Sequence, residues 1–266
     1  MFLFALSFSN LSSSLSTNVG HGYLHFLFGA LSGCLNSSLV LLGDGRDVDY
    51  LNPFHAYDKG NLSWLAAAEA KPATMSIAKR AIPEATSIEE ANQIVRGNWL
   101  NVIEEHHLKY LGSSQVNDIL DIGCSVGVST RYLVEKFPSA QAVGLDLSPY
   151  FLAVEAQKEE KLSRPKPIRW VHANGEATGL SSDSFDLVSL AYVCHECPAR
   201  AITRLVKEAF RVLRPGGTIA LTDNSELSPV LFTLMKSTEP FPGRVLHAGF
   251  GGDDEKSGAL LTFAPS

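Results

Sequence analysis

The chain has 266 residues, of which 45% are hydrophobic and 19% charged, and its 22 basic and 28 acidic side chains leave a net charge of −6. That length accommodates one substantial domain with an appendage, and the mixed composition excludes a disordered, collagen-like or coiled-coil chain. No run of Lys or Arg is long enough to follow a phosphate backbone, so the expected partner is a small molecule or lipid and no nucleic acid.

From Met1 to Gly43 there is no Asp, Glu, Lys or Arg, and Ser, Leu and Phe dominate. Such a start is similar to an organelle transit peptide, the chloroplast kind in particular, although it lacks the arginines these carry. Two other readings stand beside it. Residues 22–42 are apolar enough for membrane association, with His25, Asn36, Ser37 and Ser38 at a cost in hydrocarbon, and the stretch also fits a disordered extension. The expected division is residues 1–50 as a targeting or disordered segment, 51–115 as an N-terminal helical lid, and 116–266 as the core.

The first predicted element is a helix over 63–79. Thr86-x-x-Glu89 and Ser87-x-x-Glu90 are capping boxes that open a longer helix to about Tyr110, with Ile88, Ala91, Val95, Val102 and Ile103 at helical spacing. Beyond Gly112, strands over 119–122, 142–146, 168–172, 187–191 and 218–222 alternate with helices over 126–137, 149–161, 200–213 and 227–236. This alternation predicts an α/β fold with a mostly parallel, doubly wound sheet. Ser148 is the expected N-cap and Pro149 the first residue of its helix. Pro215-Gly216-Gly217 is the expected turn before the fifth strand. Residues 245–250 and 259–263 remain for an antiparallel C-terminal hairpin.

The cysteines, Cys34, Cys124, Cys194 and Cys197, are expected as free thiols. Cys194-His195-Glu196-Cys197 has the C-x-x-C spacing of a zinc or redox motif, but the second ligand pair of a zinc site is missing, so no metal is expected.

The chemistry concentrates after the first core strand. Ile119-Leu120-Asp121-Ile122 runs into Gly123-Cys124-Ser125-Val126-Gly127 and then a helix, which aims backbone N–H groups at any ligand bound at the strand ends. The pattern is D-x-G-x-x-x-G rather than the dinucleotide G-x-G-x-x-G, which disfavours NAD. Asp146 ends the next strand 19 residues beyond Gly127, where a carboxylate can accept hydrogen bonds from both ribose hydroxyls. Asp121, the glycine turn and Asp146 together resemble the class I S-adenosylmethionine-dependent methyltransferases, specifically the ubiquinone and menaquinone biosynthesis branch, over about 118–223.

Other segments extend that resemblance. Ala173-Asn174-Gly175-Glu176 is similar to the family's G-D-A-E turn, with Asn in place of the acid. Ser184-Phe185-Asp186-Leu187-Val188 is similar to its S-F-D-x-V entry into the fourth strand, and Arg211-Val212-Leu213-Arg214-Pro215-Gly216-Gly217 to its R-V-L-x-P-G-G element. The resemblance implies a Rossmann-like sheet that binds S-adenosyl-L-methionine through Asp121, Gly123, Cys124, Ser125, Gly127, Asp146, Leu147, Asn174, Gly175 and Ala191, with Asn174 and Gly175 at the adenine edge. It further implies methyl transfer to a small-molecule acceptor, quinone- or isoprenoid-like.

Methyl transfer needs alignment of nucleophile and methyl group and the exclusion of water, with no covalent enzyme intermediate. A general base serves only an acceptor that must lose a proton, and His195, titratable near neutral pH at a strand end, is the catalytic candidate. Capping or packing beside the cofactor is its competing role. Asn98, Trp99 and Tyr192 are candidates for the acceptor pocket, Trp99 with a core role as well. The thin C-terminal hairpin is shorter than in typical relatives and predicts a shortened chain with an incomplete substrate side. That feature and Asn174 keep open a cofactor-binding protein without activity, and the α/β pattern alone keeps open an NAD-dependent oxidoreductase.

Overall fold

The computed structural model describes residues 39–41, 60–111, 115–223, 243–249 and 259–265. The expected targeting or membrane-associating segment lies outside these residues except for 39–41, as does the helix expected over 227–236. Among the described residues no helix is long and apolar enough to cross a membrane.

Two helices precede the core. Helix α1 (Trp64–Ala81) is capped by Ser63, whose Oγ accepts the Ala66 N–H at 3.2 Å, while Lys79 and Arg80 sit in its last turn. Positive charge there opposes the partial negative charge of the helix end. Helix α2 (Ile88–Leu111) opens with the Ser87 box: Ser87 Oγ accepts the Glu90 N–H at 3.0 Å, and Glu90 accepts the Thr86 N–H at 2.5 Å. The Glu90 carboxylate thus serves the residue before the cap rather than the cap itself.

The core alternates strands and helices: β2 (Asp118–Ile122), α3 (Val128–Lys136), β3 (Gln141–Asp146), α4 (Pro149–Glu160), β4 (Arg169–His172), β5 (Phe185–Ala191), α5 (Ala199–Val212) and β6 (Leu213–Asp223). Before them β1 (Leu39–Leu41) lies at one edge, and after them come β7 (Gly243–Gly249) and β8 (Ala259–Pro265). The sheet order is β1-β4-β3-β2-β5-β6-β8-β7. Strands β1 to β6 pair in parallel, while β8 runs antiparallel to both β6 and β7. This is a Rossmann-like fold. From β2 the chain winds outward through β3 and β4, then returns to the other side of β2 as β5. The crevice between β2 and β5 is therefore the switch point at which ligands bind in open α/β sheets.

Alternate side chains of each strand enter the apolar layers on opposite faces. Leu120, Ile122, Val143, Leu145, Val188 and Leu190 pack against Ile202, Leu205, Val206 and Ala209 of α5. Ile119, Ala142, Trp170 and Leu187 pack on the other face with Trp99, Leu100 and Ile103 of α2 and with Leu133 and Leu152.

Two local expectations are corrected. Pro215-Gly216-Gly217 forms no separate turn: β6 is continuous from Leu213, and the extra residues bulge where the register jumps from Phe185↔Leu213 to Leu187↔Thr218. Gly216, at φ +84°, supplies the backbone freedom the bulge requires. Ser148 occupies the N-cap of α4 but makes no side-chain capping bond; its hydroxyl donates to the Asn61 carbonyl at 3.0 Å.

Candidate active site

The glycine turn is fastened to the neighbouring strand by its own backbone. The N–H groups of Gly123 and Cys124 donate to the Leu145 carbonyl at 2.8 and 3.1 Å, and Ser125 N–H donates to Asp146 Oδ2 at 2.8 Å. Gly123, Ser125 and Gly127 all adopt left-handed backbone, with φ of +71°, +49° and +67°. At Gly127 the glycine is also required by space, since a Cβ would stand 2.7 Å from the Trp170 ring and 2.8 Å from the Glu155 carboxylate. The turn and Asp146 therefore stand side by side at the carboxyl ends of β2 and β3.

Asp121 and Asp146 use their charges differently. Asp121 is fully buried, with Oδ2 accepting the Thr130 hydroxyl at 2.6 Å and Oδ1 the Ser189 hydroxyl at 2.7 Å. It holds the start of α3 against β5. Burial raises its carboxyl above the usual range, against those two hydrogen bonds and the charge of Arg96. Asp146 accepts the Ser148 N–H through Oδ1 at 2.8 Å as well as that of Ser125. Burial pushes its carboxyl up to about 6, helped by Glu196 and Asp121 and opposed by the two N–H donors.

The remaining expected contacts surround this pair. Cys124 is buried, its thiol pushed up by burial first and by Asp146 next, and its side chain packs beside Gly144. Leu147 is half-buried, and its carbonyl lies 2.9 Å from His172 Nε2. Asn174 Oδ1 accepts the Glu176 N–H at 2.8 Å in an Asx turn. Gly175 is held by packing, for a Cβ would meet Leu205 and Ile122 at 2.6 and 2.7 Å. Ala191 is buried at the end of β5.

Past β5 the chain turns through Tyr192, at φ +59°, into a short 3₁₀ segment, Cys194–Glu196. His195 is anchored twice to Asp223 at the end of β6: its N–H donates to Oδ2 at 3.1 Å, and its Nδ1 lies 2.8 Å from Oδ1. Burial works against protonation of the ring, but the hydrogen bond and charge of Asp223, with Glu196, raise its pKa above the ordinary value. Among the described residues no disulfide joins Cys124, Cys194 or Cys197. Among the described residues no three His, Cys, Asp or Glu side chains cluster as a metal site.

The methyltransferase domain family matches residues 120–221, the stretch from β2 to β6. This segment matches a methyltransferase domain. The chain is 31% identical over 144 residues to a demethylmenaquinone methyltransferase of Lactococcus lactis subsp. lactis, covering 52% of this chain and 56% of that protein. Over 143 residues it is 31% identical to the chloroplastic 2-phytyl-1,4-beta-naphthoquinone methyltransferase of Arabidopsis thaliana, covering 52% of this chain and 52% of that one. The chain thus spans about half the length of these curated relatives. A solved structure from Methanococcus maripaludis, provisionally described as an S-adenosyl-L-methionine-dependent methyltransferase, shares the fold with a TM-score of 0.54 at 12% identity, over 80% of this chain and 98% of that one.

Three residues that sequence reasoning passed over make contacts in this region. Asp223 orients His195, and its legible signal was its place at the carboxyl end of an apolar strand, the same place Asp146 has. Arg96 of α2 is buried, donates to Ser129 Oγ at 3.0 Å in the first turn of α3, and stacks 5.2 Å above the Tyr192 ring. Its signal was a charge on the helix stripe of Asn92, Trp99, Leu100 and Ile103, all buried. Asn61, just before α1, touches the loops after β3 and after β5. Of the acceptor-pocket candidates, Trp99 is a core residue, Asn98 is exposed on α2, and Tyr192 lies half-buried under Arg96.

Proposed function

We propose that this protein transfers a methyl group from S-adenosyl-L-methionine to a small, quinol- or isoprenoid-like acceptor. The observation that carries the reading is the glycine turn after β2 joined to the end of β3, where the Ser125 N–H donates to Asp146 beside the β2/β5 switch point. The donor set suits this ligand. Asp146 retains lone pairs for the ribose hydroxyls, and Arg96 with the N–H groups at the start of α3 suits a carboxylate. Four acidic side chains, Asp121, Asp146, Glu196 and Asp223, surround the crevice and favour a sulfonium cation. A dinucleotide pyrophosphate would meet those same charges unfavourably, which argues against the oxidoreductase reading.

When bound, the cofactor supplies a methyl group open to in-line displacement. Asp223 fixes the Nδ1 side of His195, leaving Nε2 to take a proton from an acceptor hydroxyl. Loss of that proton makes a hydroquinol nucleophilic, which suits acceptors of the kind named for the Lactococcus and Arabidopsis relatives. Helices α1 and α2 act as the lid of residues 51–115: Ala66 and Ala67 pack on Val126, Phe151 and Val154, over the glycine turn. An organellar location, in chloroplasts, accords with the acid-free N-terminal segment and the chloroplastic relative.

Calorimetric titration of S-adenosyl-L-methionine into wild type and Asp146→Ala tests the site. Leaving the ribose hydroxyls unpaired costs about 1–3 kcal/mol, and equal affinity of the two proteins would rule the ribose assignment out. Methyl transfer to quinols, read by mass spectrometry, tests the activity, and binding without turnover on any acceptor would favour a non-catalytic role.

A further inference from the structure

One residue of the N-terminal segment reaches both sides of the crevice. The Asn61 carbonyl accepts the Ser148 hydroxyl at 3.0 Å, and its side-chain amide donates to Glu196 Oε2 at 2.8 Å. Ser148 adjoins the ribose side, since its N–H donates to Asp146 Oδ1. Glu196 adjoins the base side, with Oε1 3.8 Å from His195 Nε2. Asn61 therefore ties the loop after β3 to the loop after β5, across the mouth of the switch point.

The bridge belongs to an ordered contact. Ser148, which makes no side-chain capping bond to α4, supplies the hydroxyl donor. Three residues beyond Asn61, Trp64 meets Tyr150 edge-on with ring centroids 5.1 Å apart. One residue before it, Gly60 turns the chain at φ +54°. Among the described residues the charges facing His195 are Asp223 from β6 and Glu196 from its own turn. An imidazolium between them is stabilised at both nitrogens, and Glu196 contributes only while it is held on the Nε2 side.

We propose that Asn61 is a positioning residue that holds Glu196 beside His195 Nε2, so that the base side of the site is assembled when the N-terminal segment is docked. The proton leaving an acceptor hydroxyl then comes to rest on Nε2, on an imidazolium paired with Asp223 and Glu196, while the methyl group passes to the deprotonated acceptor. This inference rests on the methyl-transfer reading, but its decisive readout is independent of turnover.

The test is an NMR titration of the His195 ring, assigned with His195→Asn, in full-length wild type, Asn61→Leu and Glu196→Gln. Asn61→Leu is close in size, removes the donor to Glu196 and adds no charge. Both variants are expected to lower the His195 pKa by about half a unit, with no further drop when combined. Cofactor affinity and thermal midpoint of Asn61→Leu should stay near wild type. On an accepted substrate kcat should fall roughly fivefold, as for loss of one partly exposed ion pair. A wild-type His195 titration in Asn61→Leu, or a change in cofactor affinity alone in that variant, would overturn the proposal. Absence of methyl transfer with the His195 shift intact would instead count against the function.

Discussion

Asp146 has a carboxyl pushed up to about 6, first by burial, whereas accepting two ribose hydroxyls, as proposed, requires the ionised form. Binding therefore releases the proton the free protein holds at lower pH. Affinity for S-adenosyl-L-methionine should be constant above about pH 7 and fall by up to tenfold per unit below about pH 6. Asp146→Asn should bind more weakly with that pH dependence removed, which calorimetry between pH 5 and 8 checks. Asp121 behaves differently because both its oxygens are already taken by Thr130 and Ser189. Its contribution is the geometry of the turn. The sequence pattern singles out both acids but cannot separate these roles, since each simply ends a strand or nearly so.

Between elements, α3 and α4 are locked by ion pairs beneath the glycine turn. Arg131 donates to Glu155 Oε2 through Nε and Nη2 at 3.0 and 2.6 Å and to Glu159 through Nη1 at 2.9 Å, with its guanidinium 5.7 Å from the Trp170 ring. Glu155 is fully buried and presses against Gly127. Breaking a buried pair by removing one partner costs about 3–5 kcal/mol, and because Lys158 also holds Glu155, Arg131→Met should cost about 3 kcal/mol. Urea denaturation checks this, with loss of the midpoint at unchanged slope as the expected form. The boundaries of α3 and α4 were legible from periodicity and from Pro149. The lock was not, because its partners lie on separate helices and show no local pattern.

Across the whole molecule, acid stability turns on histidines of α2 buried against the sheet. Burial first, then the neighbouring charges of His107 and Lys109, lower the His106 pKa to about 4, and burial lowers that of His107, whose Nδ1 lies 3.0 Å from Thr218 Oγ1. As pH falls the unfolded chain takes up these protons near 6.5, before the folded protein can. Stability should therefore drop from about pH 6.5 toward pH 4, most steeply near the middle of that window. Thermal midpoints measured over the range check this, and His106→Gln should flatten the profile.

By itself the sequence determined the order of strands and helices from β2 to β6, the glycine turn and the placement of Asp146. Apolar alternation, helix caps and left-handed backbone are dictated by neighbours along the chain. Only the tertiary structure decided which distant groups meet: Asp223 with His195 across 28 residues, Arg96 with Ser129 across 33, and Asn61 with Glu196 across 135. Those encounters follow from the strand order, which brings the carboxyl ends of β2, β3, β5 and β6 together and lays the N-terminal helices over them.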